Sequence, residues 1–133
     1  MPANNPNTIL IVEPKKELAN YYQFLPRESS TIHVLSTQHG IKYLQNKTPS
    51  LVTISASYSP LQIFHFLETL KESSHHRQYL IPLLFVIDLD HETNFIPGTY
   101  WGQKLGIINS LSSNKETQLV LKRICQPQPS LGY

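Results

Sequence analysis

The sequence has few charged residues, a single cysteine and no long apolar run. Charged side chains make up 15% of the 133 residues, and the formal net charge is +2. A domain dedicated to nucleic acid usually carries a denser basic surface, so we do not expect nucleic-acid binding. Cys125 alone excludes an internal disulfide and a zinc site built from several cysteines.

The sequence also lacks the apolar segments that direct a chain to or through a membrane. No apolar run approaches the roughly 20 residues of a membrane helix. The first residues, MPANNPNTI, have neither the basic nor the apolar part of a signal peptide. We therefore expect a cytoplasmic protein that does not contact a membrane.

Apolar strand-like segments alternate with segments of helical periodicity five times along the chain. The predicted strands are residues 8–13, 31–35, 51–55 or 51–57, 79–87 and 107–108. The predicted helices are residues 14–25, 39–44, 61–72, 99–105 and 114–124. Short apolar strands joined by helical crossovers predict a doubly wound α/β domain, a five-stranded parallel sheet with helices on both faces.

The ends of the chain and the helix faces can also be assigned. Residues 1–7 are expected to be a disordered lead, residues 8–125 the domain and residues 126–133 a flexible tail. Residues 73–78, SSHHRQ, are interpreted as a polar turn. The core-facing stripes of the third and last helices are predicted to be Ile63, Phe64, Leu67 and Leu70, and Leu119, Val120 and Ile124.

Five short segments follow one another along the chain: TILIVEP, GIKYL, TPSLVTIS, IPLLFVI and LGIINSLSS. Each is a weak match by itself. In this order they resemble a response-regulator receiver domain of the CheY-like type. The resemblance covers residues 8–125. It implies the flavodoxin-like strand order 2-1-3-4-5 and a role in two-component signalling. Ligands of such sheets bind at the carboxyl ends of the strands, near the point where the strand order reverses.

The departures from the receiver pattern fall on the residues that carry its chemistry. The resemblance places the two Mg²⁺-binding acids on Glu13 and Pro14, and the phosphoacceptor aspartate on Ser55. It places the phosphoryl-sensing hydroxyl on Ile87 and the conserved lysine of the family on Ser113. One carboxylate then remains where receiver chemistry needs three around Mg²⁺, the ion that neutralises charge on the transferring phosphoryl group. We therefore expect no phosphoaspartate, no catalytic residue, no cofactor and no tightly bound metal.

The chain is therefore interpreted as a degenerate pseudo-receiver, an atypical and phosphorylation-independent signalling module that acts by protein–protein interaction. Phe95, Tyr100 and Trp101 are the candidate partner surface, and a homodimer through the fourth helix, fifth strand and fifth helix is also considered. The alternative for Phe95 and Trp101 is that they fill the core beside a short helix. The alternative function is a small-molecule sensor whose crevice contains Glu13, Ser55 and Asp88.

Several other polar residues have a possible functional interpretation beside an ordinary structural one. Asp88 and Asp90 could replace the lost carboxylates or be solvated loop acids. His75 and His76 could contribute to a metal site or belong to a solvated turn. Thr53, Ser55 and Ser57 could line the crevice with hydroxyls or allow close helix packing.

Overall fold

Five strands form one parallel sheet in this computed structural model, which describes residues 8–16, 20–25, 29–77, 80–87, 99–109 and 111–125. The strands are β1 (Thr8–Val12), β2 (Ser30–Val34), β3 (Leu51–Ser55), β4 (Leu83–Ile87) and β5 (Leu105–Asn109). Their order across the sheet is β2-β1-β3-β4-β5, and every neighbouring pair is parallel. The predicted doubly wound sheet and its strand order 2-1-3-4-5 are confirmed.

The helical elements of the described residues lie on both faces of the sheet. The α-helices are α1 (Thr37–Asn46), α2 (Pro60–Arg77) and α3 (Asn114–Ile124). Two 3₁₀ helices, Asn20–Phe24 and Thr99–Lys104, occupy the places of the predicted first and fourth helices. None of these helices has the length and apolar character needed to cross a bilayer.

Side chains of the central strands alternate between two apolar clusters, as the pleat of a strand requires. Leu10 and Val12 belong to the first cluster, which α1, α2 and the second 3₁₀ helix cover. Ile9 and Ile11 belong to the second cluster, which α3 and the segment of the first 3₁₀ helix cover. β1 is buried on both sides, as expected for a central parallel strand.

Within its described part, the prediction of an α-helix over residues 14–25 is wrong. Residues 14–16 are not helical and are exposed, and residues 20–24 form a 3₁₀ helix. Tyr22 and Phe24 pack against the second cluster, and Leu25 is buried in it. Aromatic residues have modest helix propensity, and here the need to cover the sheet determines the conformation.

α2 is longer than predicted, and one position of its predicted core-facing stripe is wrong. It continues through residues 73–77, so the predicted polar turn is wrong there. Ser74 is buried, and its Oγ accepts a hydrogen bond from the N–H of Ile81 at 3.3 Å. Phe66 is fully buried in this stripe, whereas Phe64, the residue predicted to lie there, is 47% exposed. The actual stripe has strict helical spacing: Ile63, Phe66, Leu67 and Leu70.

The last helix shows a similar correction. Leu119 is 59% exposed, whereas Leu121 and Ile124 are buried in the second cluster. Ser113 is the N-cap of α3 and forms a capping box with Glu116. The expected lead and tail, residues 1–7 and 126–133, lie outside the described residues.

Candidate functional site

The carboxyl ends of β1, β3 and β4 form the crevice that the fold reserves for ligands. The register pairs Val12 with Ile54 and Ser55 with Val86. Glu13, one residue past Val12, therefore lies beside Ser55. The crevice residues predicted from the first and third strands come together here.

The backbone of Glu13 is held firmly at the end of β1. Its N–H donates to the carbonyl of Val34 at 3.1 Å, and His33 Nε2 donates to its carbonyl oxygen at 3.0 Å. One carboxylate oxygen accepts a hydrogen bond from the N–H of Lys15 at 3.3 Å. The side chain is only 9% exposed. Glu13 thus places one buried carboxylate at the edge of the crevice.

Two serine hydroxyls lie at the end of β3. Ser55 Oγ is 2.7 Å from Ser57 Oγ and accepts a hydrogen bond from the N–H of Ser57 at 3.2 Å. Ser55 is 5% exposed, and Thr53 is buried inside the sheet. Of the three hydroxyls considered from the sequence, Ser55 and Ser57 are therefore the two that reach the end of the strand. Their mutual contact closes the turn after β3.

Tyr58 extends this turn toward β2. Its hydroxyl donates to the carbonyl of Leu35 at 2.7 Å. Burial raises the pKa of the Tyr58 phenol, and the negative charge of Glu13 raises it further. The phenol therefore remains protonated and continues to donate well above its ordinary titration range.

The other positions of the predicted phosphorylation pocket offer no charged group. Pro14 is exposed and carries no donor or acceptor in its side chain. Ile87 is half-buried and packs against the first cluster. Ser113 accepts a hydrogen bond from the N–H of Glu116 at 3.1 Å, so its hydroxyl caps α3.

The described residues do not fit the Mg²⁺ site that the receiver fold implies. The receiver resemblance implies three carboxylates around the ion, and Glu13 is the one carboxylate at those positions. Within the described residues, no group of three histidine, cysteine or acidic side chains could hold a metal ion. His75 is exposed on α2. Asp88 and Asp90, the possible replacements for the lost carboxylates, lie outside the described residues.

The candidate partner surface is divided by the structure. Trp101 is 1% exposed and belongs to the first cluster. The prediction that it lies on an exposed partner surface is therefore wrong, because its ring is part of the core. Tyr100 is 43% exposed, and its ring meets that of Trp101 edge-on at 5.0 Å. Lys71 Nζ lies 5.4 Å from the centre of the Tyr100 ring, which attaches this segment to α2. Phe95 lies outside the described residues.

Sequence reasoning missed a buried lysine and a basic cleft. Lys104 is 8% exposed, and its Nζ donates to the carbonyl of Ile124 at 3.3 Å. Lys104 precedes β5, so its ammonium group lies at the amino ends of the strands. It therefore cannot take the place of the receiver lysine, which would lie in the crevice at the carboxyl ends.

A cleft of about 360 Å³ lies between β2 and α1, lined by Val34, His39, Lys42, Tyr43, Asn46 and Lys47. The sequence gives one indication of its positive charge, because residues 29–67 contain no aspartate or glutamate.

Comparisons with known proteins support the fold. No protein-family model matches the sequence, and no curated protein is significantly similar to it. A response regulator receiver protein from Sinorhizobium medicae is similar in structure with a TM-score of 0.63, 13% identity and coverage of 90% of this chain and 94% of that one. The receiver domain of a Francisella response regulator is similar with a TM-score of 0.58, 16% identity and coverage of 91% and 97%. The chain thus has the fold of response-regulator receiver domains.

Proposed function

We propose that this domain is a phosphorylation-independent signalling module that acts by binding another protein. The observation that carries the proposal is the Ser55–Ser57 hydroxyl pair at the end of β3. The receiver resemblance places the phosphoacceptor at Ser55, and a serine hydroxyl there cannot form an acyl phosphate. Glu13 is the one carboxylate at the predicted acidic positions, and a single negative charge neutralises little of a dication.

The test is a phosphorylation assay with a small-molecule donor. The protein is incubated with acetyl phosphate and Mg²⁺ and examined by intact-mass spectrometry, with a receiver domain that has all three acids as the positive control. A ¹⁵N spectrum with beryllofluoride and Mg²⁺ is recorded in parallel. We expect no phosphoryl adduct and no shifts around Ser55. A stoichiometric adduct, or specific shifts at Ser55, would refute the proposal.

The interaction surface is proposed to lie on the second 3₁₀ helix, β5 and α3. Each of these elements leaves one large apolar side chain in solvent: Tyr100 is 43%, Ile107 43% and Leu119 59% exposed. Exposed aromatic and aliphatic side chains are typical anchors of protein interfaces. We propose that a second copy of the chain docks here.

Sedimentation equilibrium of variants tests this homodimer. Ile107→Asp is expected to shift the protein to a monomer because it buries a charge in the interface. Leu61→Asp is the matched control, since Leu61 is 65% exposed on α2. The dimer is contradicted if the unmodified protein is monomeric at high concentration, or if both variants weaken association equally.

A further inference from the structure

Within the described part of the chain, β2 is an edge strand, and the backbone groups on its outer side pair with no other strand. In the sheet it pairs with β1 alone. The carbonyl of Val34 accepts a hydrogen bond from Glu13 N–H, so the backbone groups of Val34 point toward β1. Because the backbone groups of successive residues point to opposite sides of a strand, those of Thr31 and His33 point to the open edge. Two residues therefore offer an N–H and a C=O each for a further strand.

Among the described residues, β2 itself has no lysine, proline or bulge that would block strand addition. Natural edges are protected by lysine, proline, bulges or covering elements. β2 has the sequence STIHV, and its register with β1 runs without a bulge from Ser30 to Val34. At the opposite edge, the Arg123 guanidinium donates to the carbonyl of Leu105 at 2.7 Å and occupies the start of β5.

The cleft beside β2 combines an apolar floor with a cationic rim. Val34 and the ring of Tyr43 supply apolar surface, and Lys42 and Lys47 are exposed at its margin. Lys47 Nζ lies 6.0 Å from the centre of the Tyr43 ring. Ile32, on the same face of β2 as Val34, is 38% exposed. The apolar strip therefore continues along the strand.

The positive charge of the cleft is not neutralised within the described part of the chain. The sequence has no acidic residue between Glu28 and Glu68. In the described residues neither Lys42 nor Lys47 forms an ion pair, whereas Lys71 pairs with Glu68 at 3.0 Å. A negatively charged ligand is thus the electrostatic complement of this surface.

We propose that β2 and its cleft bind an extended acidic segment of a partner protein, which adds a sixth strand to the sheet. The backbone of the segment pairs with Thr31 and His33, as in other cases of strand addition. Its alternate carboxylates lie near Lys42 and Lys47, and their aliphatic stems lie on the floor of the cleft. This inference rests on the proposed function, because it names the chemistry of a partner for a module that acts by binding.

The probe is a fluorescein-labelled peptide of four Glu–Val repeats, titrated with the protein in fluorescence anisotropy. We expect saturable binding that weakens as salt is added, because exposed charges are screened. The double variant Lys42→Gln/Lys47→Gln should weaken binding about tenfold, from the loss of two exposed charge pairs. The matched control Lys115→Gln/Lys122→Gln changes the net charge equally on α3 and should bind normally.

A second peptide tests the added strand without changing the protein. Methylation of alternate backbone nitrogens retains every side chain and charge but removes the donors that pair with β2, so binding should be lost. If the methylated peptide binds as tightly as the unmodified one, strand addition is overturned. If the α3 control variant weakens binding as much as the Lys42→Gln/Lys47→Gln variant, the role of the cleft lysines is overturned. Binding of succinate with no binding of the peptide would reduce the site to a small-anion site and also overturn the inference. The acetyl phosphate assay is independent, so failure here leaves the proposed function standing.

Discussion

Ser55 and Ser57 hold each other at the end of β3, with their hydroxyl oxygens 2.7 Å apart. The N–H of Ser57 also donates to Ser55 Oγ, so the turn is closed by its own polar groups. Glu13 lies beside this pair through the register of β1 and β3. Within the described residues, this end of the sheet is therefore a mainly neutral hydrogen-bonded unit with one carboxylate beside it.

Ser55→Asp should destabilise the fold more than Ser55→Asn, since asparagine has the shape of aspartate without its charge. A carboxylate at this 5%-exposed position would lose its hydration and face the charge of Glu13. We expect the aspartate variant to be less stable by about 1–3 kcal/mol than the asparagine variant, measured by urea unfolding at neutral pH. Millimolar Mg²⁺ should leave this difference unchanged. Recovery with Mg²⁺ would show that the crevice can bind the ion.

Tyr58 should make stability depend on pH in the alkaline range. Its pKa in the folded state is raised above the ordinary value of 10.0, first by burial and then by the Glu13 charge. The contribution of Tyr58 to the free energy of unfolding is therefore complete below pH 10.0. It is lost as the pH rises from there toward the folded-state pKa. Glu13→Gln should lower the Tyr58 pKa, so that tyrosinate absorbance appears at lower pH.

Tyr58→Phe is the corresponding stability variant. At neutral pH it should cost about 1 kcal/mol, because the hydrogen bond to the carbonyl of Leu35 is lost. The difference from the unmodified protein should shrink above pH 10.0, where the phenol no longer contributes fully. A difference that stays constant across this range would mean that Tyr58 titrates normally.

Trp101 and its neighbour Tyr100 should differ sharply in their effect on stability. Trp101→Ala removes a fully buried ring and should cost about 3–5 kcal/mol. Tyr100→Ala removes a side chain that is 43% exposed and should cost less than about 1.5 kcal/mol. Since Trp101 is the single tryptophan of the chain, its emission should move to the red only on unfolding. Efficient acrylamide quenching in the folded protein would contradict its burial.

Gly106 allows β5 and α3 to approach closely. A Cβ atom at this position would lie 2.5 Å from Val120 Cγ1 and 3.2 Å from Leu84 Cδ1. Gly106→Ala should therefore cost about 1–3 kcal/mol through overpacking. Combining it with Val120→Ala should recover part of the loss, so the two changes should not be additive in urea unfolding. Strict additivity would show that the contact does not limit packing.

The differences between expectation and structure lie where tertiary packing decides between equivalent local patterns. Phe64 and Phe66 both fit an apolar stripe of α2, and only the position of the sheet selects Phe66. Gly40 shows the close fit of this ring, because a Cβ there would lie 2.8 Å from Phe66 Cε1. Leu119 and Leu121 presented the same choice in α3.

By itself, the sequence determined the parallel sheet and its five strands. Strand and helix periodicities are local properties, and a parallel sheet joined by crossovers follows from their alternation. Only the tertiary structure decided that Trp101 is buried, that the first crossover contains a 3₁₀ helix and that a basic cleft lies beside β2. Burial and clefts arise from which surfaces meet across the fold, and residues distant in sequence supply those surfaces.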